Sequence, residues 1–302
     1  MPVSSALFEH ANFGGVAVTT TSGPFRYAWT RYGTPLNDLF SSMRAVAAGH
    51  RGNVYAFEHI DFNGRFAALN VGGRFSSAWW SYFGDDFNDQ VSSSLIVARA
   101  PAEKEREISL GWQIVERFAG IFDDKTAGKP VSRVGEPRLY CTMFPSYDRE
   151  RVLLTIDQEL KVQVRIPIKV AVPVWTPWGG FDTVDLDSGE QLRWSDYRAN
   201  VRYDVAFWVD GDGSPRAAVR WFWVWVEGGP FSQTVYDELE PQMRDAAKDV
   251  TDALQGGLSL FRVFERGRFS DAYLLPGPAP DMNAAGFKAR YDDDVTLVLV
   301  RA

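Results

Sequence analysis

The chain repeats itself within its first hundred residues, and that repeat limits its folds more than any other feature. Phe8-Glu9-His10-Ala11-Asn12-Phe13-Gly14-Gly15 returns as Phe57-Glu58-His59-Ile60-Asp61-Phe62-Asn63-Gly64, 49 residues later. Phe25 returns as Phe75, Trp29 as Trp79, and Asn37-Asp38-Leu39-Phe40-Ser41-Ser42 as Asn88-Asp89-Gln90-Val91-Ser92-Ser93. Order and spacing persist over about 35 residues, which chance does not produce. Val16–Thr19 and Phe66–Leu69 are short runs of strand-forming residues bounded by Gly and Asn. Phe8 and Phe13 are spaced to cover one side of a tight hairpin. Gly15 and Gly64 then supply positive φ or room for a ring against the backbone. One repeat alone leaves an apolar sheet face in water, whereas two packed together bury it, so a β-sandwich follows.

Aromatic-x4-aromatic-x-Gly, then a Trp-bearing strand, then Asn-Asp-x-x-Ser-Ser, occurs twice over residues 6–99. This pattern resembles the microbial βγ-crystallins, with Phe at both hairpin starts where Tyr is common in that family. The resemblance implies a double Greek-key β-sandwich and two calcium ions bound between the repeats. Carried over residue by residue, it implies side-chain oxygens from Asp38 and Asp89 and hydroxyls from Ser41 and Ser92. Backbone carbonyls are implied at Leu39, Gln90, Glu9 and Glu58. Ligands mix between loops in the family; the sequence does not say which ligand serves which ion. Calcium takes six to eight oxygens, and one carboxylate per site points to dissociation constants of around 10⁻⁶ to 10⁻³ M. The competing reading is that Asn-Asp and Ser-Ser cap their own turns. His10 and His59 occupy equivalent positions, which argues for a structural role, with adventitious transition-metal binding as the alternative.

Charge marks a boundary near residue 100. Residues 1–99 hold seven Arg, no Lys and seven acids, so the chain's net charge of −7 lies wholly in the remainder. The acidic balance argues against general affinity for nucleic acid. The expected organisation is a calcium-binding unit over 1–99, a charged linker over 100–107, and a β-rich, sandwich-like unit with one or two helices over 108–302. The protein as a whole is expected to be mainly β. The 11 Trp, 11 Tyr and 21 Phe favour strands.

In the second unit, Ile108, Leu110, Trp112 and Ile114 alternate with polar or small residues and suggest a strand. Residues 160–174 alternate for longer, and Pro167 and Pro173 make that strand an edge or a bent one. Tyr203–Val209 and Ala217–Val226 flank Asp210–Ser214 as a hairpin. Asp210, Asp212 and Gly213 superficially look like a calcium loop, but no Glu stands where an EF-hand needs its twelfth ligand, so a turn is expected. Trp221–Val226 is apolar on both faces and suggests a central strand or a platform of stacked Trp. Val235, Leu239, Met243, Ala247, Val250 and Leu254 suggest a helix that Gly256 and Gly257 end and Pro241 kinks or begins. Asp292–Asp294 suggests a solvated turn before a final strand, Val295–Val300.

All three histidines lie at or before residue 59. Residues 100–302 therefore lack a histidine for a Ser-His-Asp triad, a Cys-His dyad or a zinc site, and no catalytic residue is assigned. Cys141 is the one cysteine, so no intrachain disulfide forms. No run of 18 apolar residues predicts a spanning helix. Met1–Leu7 shows no signal peptide, and a cytoplasmic location is expected, with secretion left open. The leading functional expectation is a non-enzymatic protein in which calcium stabilises the N-terminal unit. The alternatives are binding of carbohydrate, another surface or another protein through the Trp-rich unit, a carboxylate-based hydrolase, and a membrane-active toxin suggested by strand 160–174.

Overall fold

The structure is a computed structural model describing residues 3–22, 26–62, 64–72, 76–85, 87–143, 151–175, 181–229, 232–265, 267–277 and 295–302. For residues 112–113, 165–175, 181–194 and 260–265 the backbone alone is described. Phe25, Phe75, Asn63 and Asp292–Asp294 lie outside the described residues.

The protein is mainly β. Each repeat contributes four strands: β1 (Val3–His10), β2 (Gly14–Thr21), β3 (Tyr27–Arg31) and β4 (Ser42–Ala47), then β5 (Arg51–Phe57), β6 (Phe66–Val71), β7 (Ser77–Trp80) and β8 (Ser93–Arg99). They form two sheets of order β2-β1-β4-β7 and β3-β8-β5-β6. The third strand of each repeat has crossed into the other repeat's sheet. That exchange makes two interlocked Greek keys, a βγ-crystallin-like fold. Val3, Leu7, Phe40, Met43, Val54, Leu69, Phe83, Phe87 and Ile96 form the core between the sheets.

The aromatic hairpins follow from their residues. Phe8 and Phe13 meet edge to face at 5.4 Å, and Phe57 and Phe62 at 6.2 Å. Gly15 and Gly64 both have positive φ, and a Cβ on Gly64 would lie 2.6 Å from the His59 ring. Both reasons for a glycine, its backbone conformation and ring clearance, therefore apply at once.

The rest of the chain holds β9 (Glu105–Ser109), α1 (Trp112–Thr126), β10 (Val131–Thr142), β11 (Leu153–Trp175), β12 (Phe181–Val209), β13 (Pro215–Val226), α2 (Ser232–Glu265), β14 (Phe269–Pro276) and β15 (Val295–Arg301). One antiparallel sheet runs β10-β11-β12-β13 and another β14-β15-β9. The helices and both sheets share a single core that includes Phe118, Phe122, Leu154, Tyr203, Met243, Leu274 and Leu297.

Several expectations change here. Residues 105–107 are not linker: they open β9, which pairs with β15 from Glu105↔Val300 to Ser109↔Thr296. Glu105 is buried and accepts from Arg51 at 3.0 Å, from Arg99 and from the hydroxyl of Tyr273. A polar run reads as solvated only until its charges find partners. The strand expected over 108–114 stops at Ser109, and α1 begins after Gly111. Ile114, Phe118 and Phe122 recur at helical spacing, and that longer period prevails. β13 is an edge strand rather than a central one. Phe222, Val224 and Val226 pack inward, while Trp223 and Trp225 are 38% and 59% exposed. α2 passes through Pro241, Gly256 and Gly257 without ending, because Leu254 and Leu258 on either side of the glycines are buried. The 210–214 segment is a turn, closed by Asp210 N–H donating to Ser214 O at 2.9 Å.

Candidate metal centre

The two Asn-Asp-x-x-Ser-Ser loops meet at one end of the crystallin-like sandwich, and backbone bonds cross between them. The amide of Asp38 donates to Val91 O at 3.2 Å, and that of Asp89 to Phe40 O at 3.3 Å. Asp38 and Asp89 adopt left-handed φ of 56° and 54°. Asp tolerates this region better than most residues, which explains its place at these turns. Their carboxylates are oriented alike: Asn37 Nδ2 donates to Asp38 at 2.6 Å and Asn88 Nδ2 to Asp89 at 2.8 Å.

Each serine belongs with the aspartate of the other loop. The hydroxyl of Ser41 donates to Asp89 Oδ1 at 3.1 Å and to Glu9 O at 2.6 Å. Ser92 donates to Asp38 Oδ1 at 3.2 Å. The backbone holds both serines at matched points, with Ser41 N–H on Phe8 O and Ser92 N–H on Phe57 O. Ser42 and Ser93 donate to His10 O and His59 O, both at 2.7 Å, fixing the segments that carry Glu9 and Glu58. Leu39 and Gln90 stand between the Asp and the Ser of their own loops. Both serines are buried and both aspartates exposed, so each hydroxyl–carboxylate pair opens to water, and at the first loop the Glu9 carbonyl joins it.

Among the described residues no three His, Cys, Asp or Glu side chains cluster. A hard cation takes neutral oxygens alongside few carboxylates. At the first loop a single hydroxyl proton bridges Glu9 O and Asp89 Oδ1, oxygens that a cation would bridge instead. The residues present therefore fit a calcium ion.

Residue 65 departs from the symmetry of the repeat and could not be singled out from the motif alone. The Glu9 carboxylate accepts from Val16 N–H at 2.9 Å, and the Glu58 carboxylate from Arg65 N–H at 3.1 Å. The Arg65 guanidinium adds a bond to Glu58 Oε1 at 2.9 Å and another to the side-chain oxygen of Gln90. Mainly through that side-chain bond, Arg65 holds the Glu58 carboxyl below its ordinary range.

Among solved structures, the chain is similar to a crystal structure of a βγ-crystallin from an archaeon. Identity is 23%, covering 31% of this chain and 96% of that one, with a TM-score of 0.24. No protein-family profile matches the chain, and no curated protein matches it.

Proposed function

We propose that the crystallin-like unit, residues 1–99, binds two calcium ions that clamp its repeats together, and that this part of the protein is non-enzymatic. One ion takes the Glu9 and Leu39 carbonyls, the Ser41 hydroxyl and the Asp89 carboxylate. The other takes the Glu58 and Gln90 carbonyls, the Ser92 hydroxyl and the Asp38 carboxylate. The observation that carries this reading is the crossed pairing, with each serine hydroxyl on the aspartate of the opposite loop. Turns that only capped themselves would bond within their own loop.

Titration calorimetry and thermal melting of the full chain, with calcium or with chelator, test it. A ligand that binds only the folded state stabilises by mass action, about 2.7 kcal/mol per site at a hundredfold excess over Kd. For a chain of this size that raises the unfolding midpoint by several degrees per site. Ser41→Arg and Ser92→Arg each place a bulky cation among the oxygens and should each remove one site. The double variant should melt alike with calcium and with chelator. Magnesium should substitute poorly, since it demands tight octahedral geometry and holds its water. A wild-type midpoint indifferent to millimolar calcium would mean that the loops are turns and nothing more.

A second reading, binding of a glycan through the other half, draws support from the outer face of β13. Trp221, Trp223 and Trp225 alternate along this edge strand, and the Arg202 guanidinium lies 5.3 Å from the Trp223 ring centroid. Exposed indole faces of that kind stack on flat apolar surfaces such as those of sugar rings.

A further inference from the structure

β11 and β12 are much longer than the sheet that holds them. They pair from Leu154↔Val205 to Trp175↔Phe181. β10 accompanies β11 only as far as Val131↔Val162, and β13 accompanies β12 only as far as Ala199↔Val226. Beyond those points the two strands continue as a ribbon with no third strand among the described residues. Twelve or so residues of strand reach roughly 40 Å at about 3.4 Å per residue. A two-stranded ribbon of that length is marginal in water.

Its sequence has the pattern of a bilayer-spanning hairpin. Val164, Ile166, Ile168, Val170, Val172 and Val174 alternate with Arg165, Pro167, Lys169, Ala171 and Pro173. The register sets Val184 opposite Val172 and Leu186 opposite Val170, while Asp187 stands opposite Lys169 and Asp185 opposite Ala171. One face of the ribbon is therefore aliphatic along β11, with Arg193 opposite Ile166 and Asp182 opposite Val174 towards its two ends, and the other carries mostly charged or small residues between its terminal aromatics. Aromatic positions bracket the stretch on the charged face: Trp175 stands opposite Phe181 at the outer end, and Trp194 opposite Arg165 at the inner end. The residues between the brackets on β11, 166–174, match the 9–11 that a tilted strand needs to cross a hydrocarbon core. Asp182, opposite Val174, lies beside the outer bracket, where a charge costs little. Residues 188–191 bulge opposite Ile168, interrupting the pairing.

We propose that this ribbon, residues 164–175 with 181–194, enters a lipid bilayer as one hairpin of a β-barrel assembled from several copies of the chain. Several copies are required because lipid offers no partner for a ribbon's open edges, and only closure satisfies them. The aliphatic face meets lipid. The face bearing Lys169, Asp185 and Asp187 lines the lumen, and the 188–191 bulge turns to that side. That no helix among the described residues is long and apolar enough to span a membrane leaves this route untouched, since barrels cross with strands.

The test uses the full chain and phosphatidylcholine vesicles loaded with a self-quenching dye. Single cysteines replace Lys169, Val170, Ala171, Val172 and Glu190 in turn, on a Cys141→Ala background whose melting is measured alongside wild type, and carry an environment-sensitive fluorophore. Dye release is expected, with emission at 170 and 172 blue-shifted and quenched by a lipid-borne nitroxide. Labels at 169, 171 and 190 should answer only to aqueous iodide. Val172→Asp should abolish release without moving the melting midpoint, since this part of the ribbon lies beyond the flanking strands. Vesicles that stay sealed would overturn the proposal, as would labels that all report one environment. So would protection in the absence of lipid together with a dimer in sedimentation, which would assign the ribbon to a second copy in solution.

Discussion

Arg65 makes two otherwise matched loops unequal. The first repeat has Val16 in the equivalent position, and only the backbone bond to the glutamate survives there. The guanidinium fixes a positive charge beside Gln90, whose carbonyl is proposed to bind the second ion, and neutralises Glu58. Both effects repel a second cation. Between exposed charges a few ångströms apart, repulsion is on the order of 1 kcal/mol, a several-fold change in Kd. Arg65→Val should therefore tighten the second site several-fold and leave the first alone, resolved by calorimetry of the second site in a Ser41→Arg background and of the first in a Ser92→Arg background. An unchanged second site would remove Arg65 from the account. The Arg65–Glu58 pair also carries a pH dependence. A depressed carboxylate pKa contributes stability above the unfolded-state value and loses it as pH falls through the folded-state value. The valine variant should lose that small acid-side slope. The pair is partly exposed, with side chains 20% and 26% accessible, so the slope amounts to a fraction of a kcal/mol.

β13 shows what an element gains from its position in a sheet. Its run of Trp221-Phe222-Trp223-Val224-Trp225-Val226 is apolar at every residue, yet only alternate positions are covered. Tyr203 pairs with Phe222 and Val201 with Val224 on the inner face, where α2 packs. Arg202 pairs with Trp223 and Asn200 with Trp225 on the outer face. Trp225 is more than half exposed, so Trp225→Ala should change stability by no more than about 0.5 kcal/mol. If the strand serves as a sugar platform, that variant should lose retention on the glycan that wild type selects from an array, at unchanged melting temperature. Retention by Trp225→Ala equal to wild type, or no retained glycan at all, would end the platform reading. The opposite case is Asp204 on β12, fully buried behind the same face. Burial raises its carboxyl pKa despite Arg202 at 3.0 Å and the Thr155 hydroxyl at 2.6 Å.

The two halves of the molecule are not merely strung together. The sheet β3-β8-β5-β6 is covered on both sides: Val54, Ala56 and Ile96 face the crystallin-like core, while Tyr55, Phe57, Phe66, Leu95 and Val97 join the core of the other half. Gly277 approaches Phe66 so closely that a Cβ there would lie 2.9 Å from the ring. Leu274 N–H donates to the Tyr27 hydroxyl at 3.3 Å, and Arg26 stacks 4.3 Å from the Tyr273 ring centroid while pairing with Asp271. This explains why the repeats differ in burial where their sequences match. Phe57 and Phe62 are fully covered whereas Phe8 and Phe13 are half-exposed, and Trp29 packs at 6.0 Å on Phe62 whereas Trp79 is exposed. A fragment ending at residue 104 should thus keep its Greek keys but expose a large aromatic face. It should bind a hydrophobic dye and self-associate in sedimentation, and the intact chain should do neither through this face. Cleavage at the junction between the two parts should be confined to the exposed turn at 101–104, since Glu105 is locked to Arg51 and Arg99. A monomeric fragment without dye binding would mean that the covered face is dispensable.

Much of the N-terminal half was written along the chain. Repeat length, paired aromatics, the two positive-φ glycines and the Asn-Asp-x-x-Ser-Ser loops are local patterns, and local backbone chemistry makes each of them fold alike in both copies. The long alternation of 160–174 and the turn at 210–214 were legible for the same reason. What tertiary structure alone decided is which surfaces meet. Serine opposite the other loop's aspartate depends on the exchange of β3 and β7 between sheets. Arg65 became distinctive only once its guanidinium was placed beside Gln90. The assignment of 105–107 to a strand depends on β15, almost two hundred residues away, and Glu105 is buried because Arg51, Arg99 and Tyr273 converge on it. Trp221–Val226 reads as central from composition but lies at an edge, since a strand's neighbours are set by sheet order and not by its own residues. Propensity and period are properties of a segment, whereas burial, edge and partner belong to the packed whole.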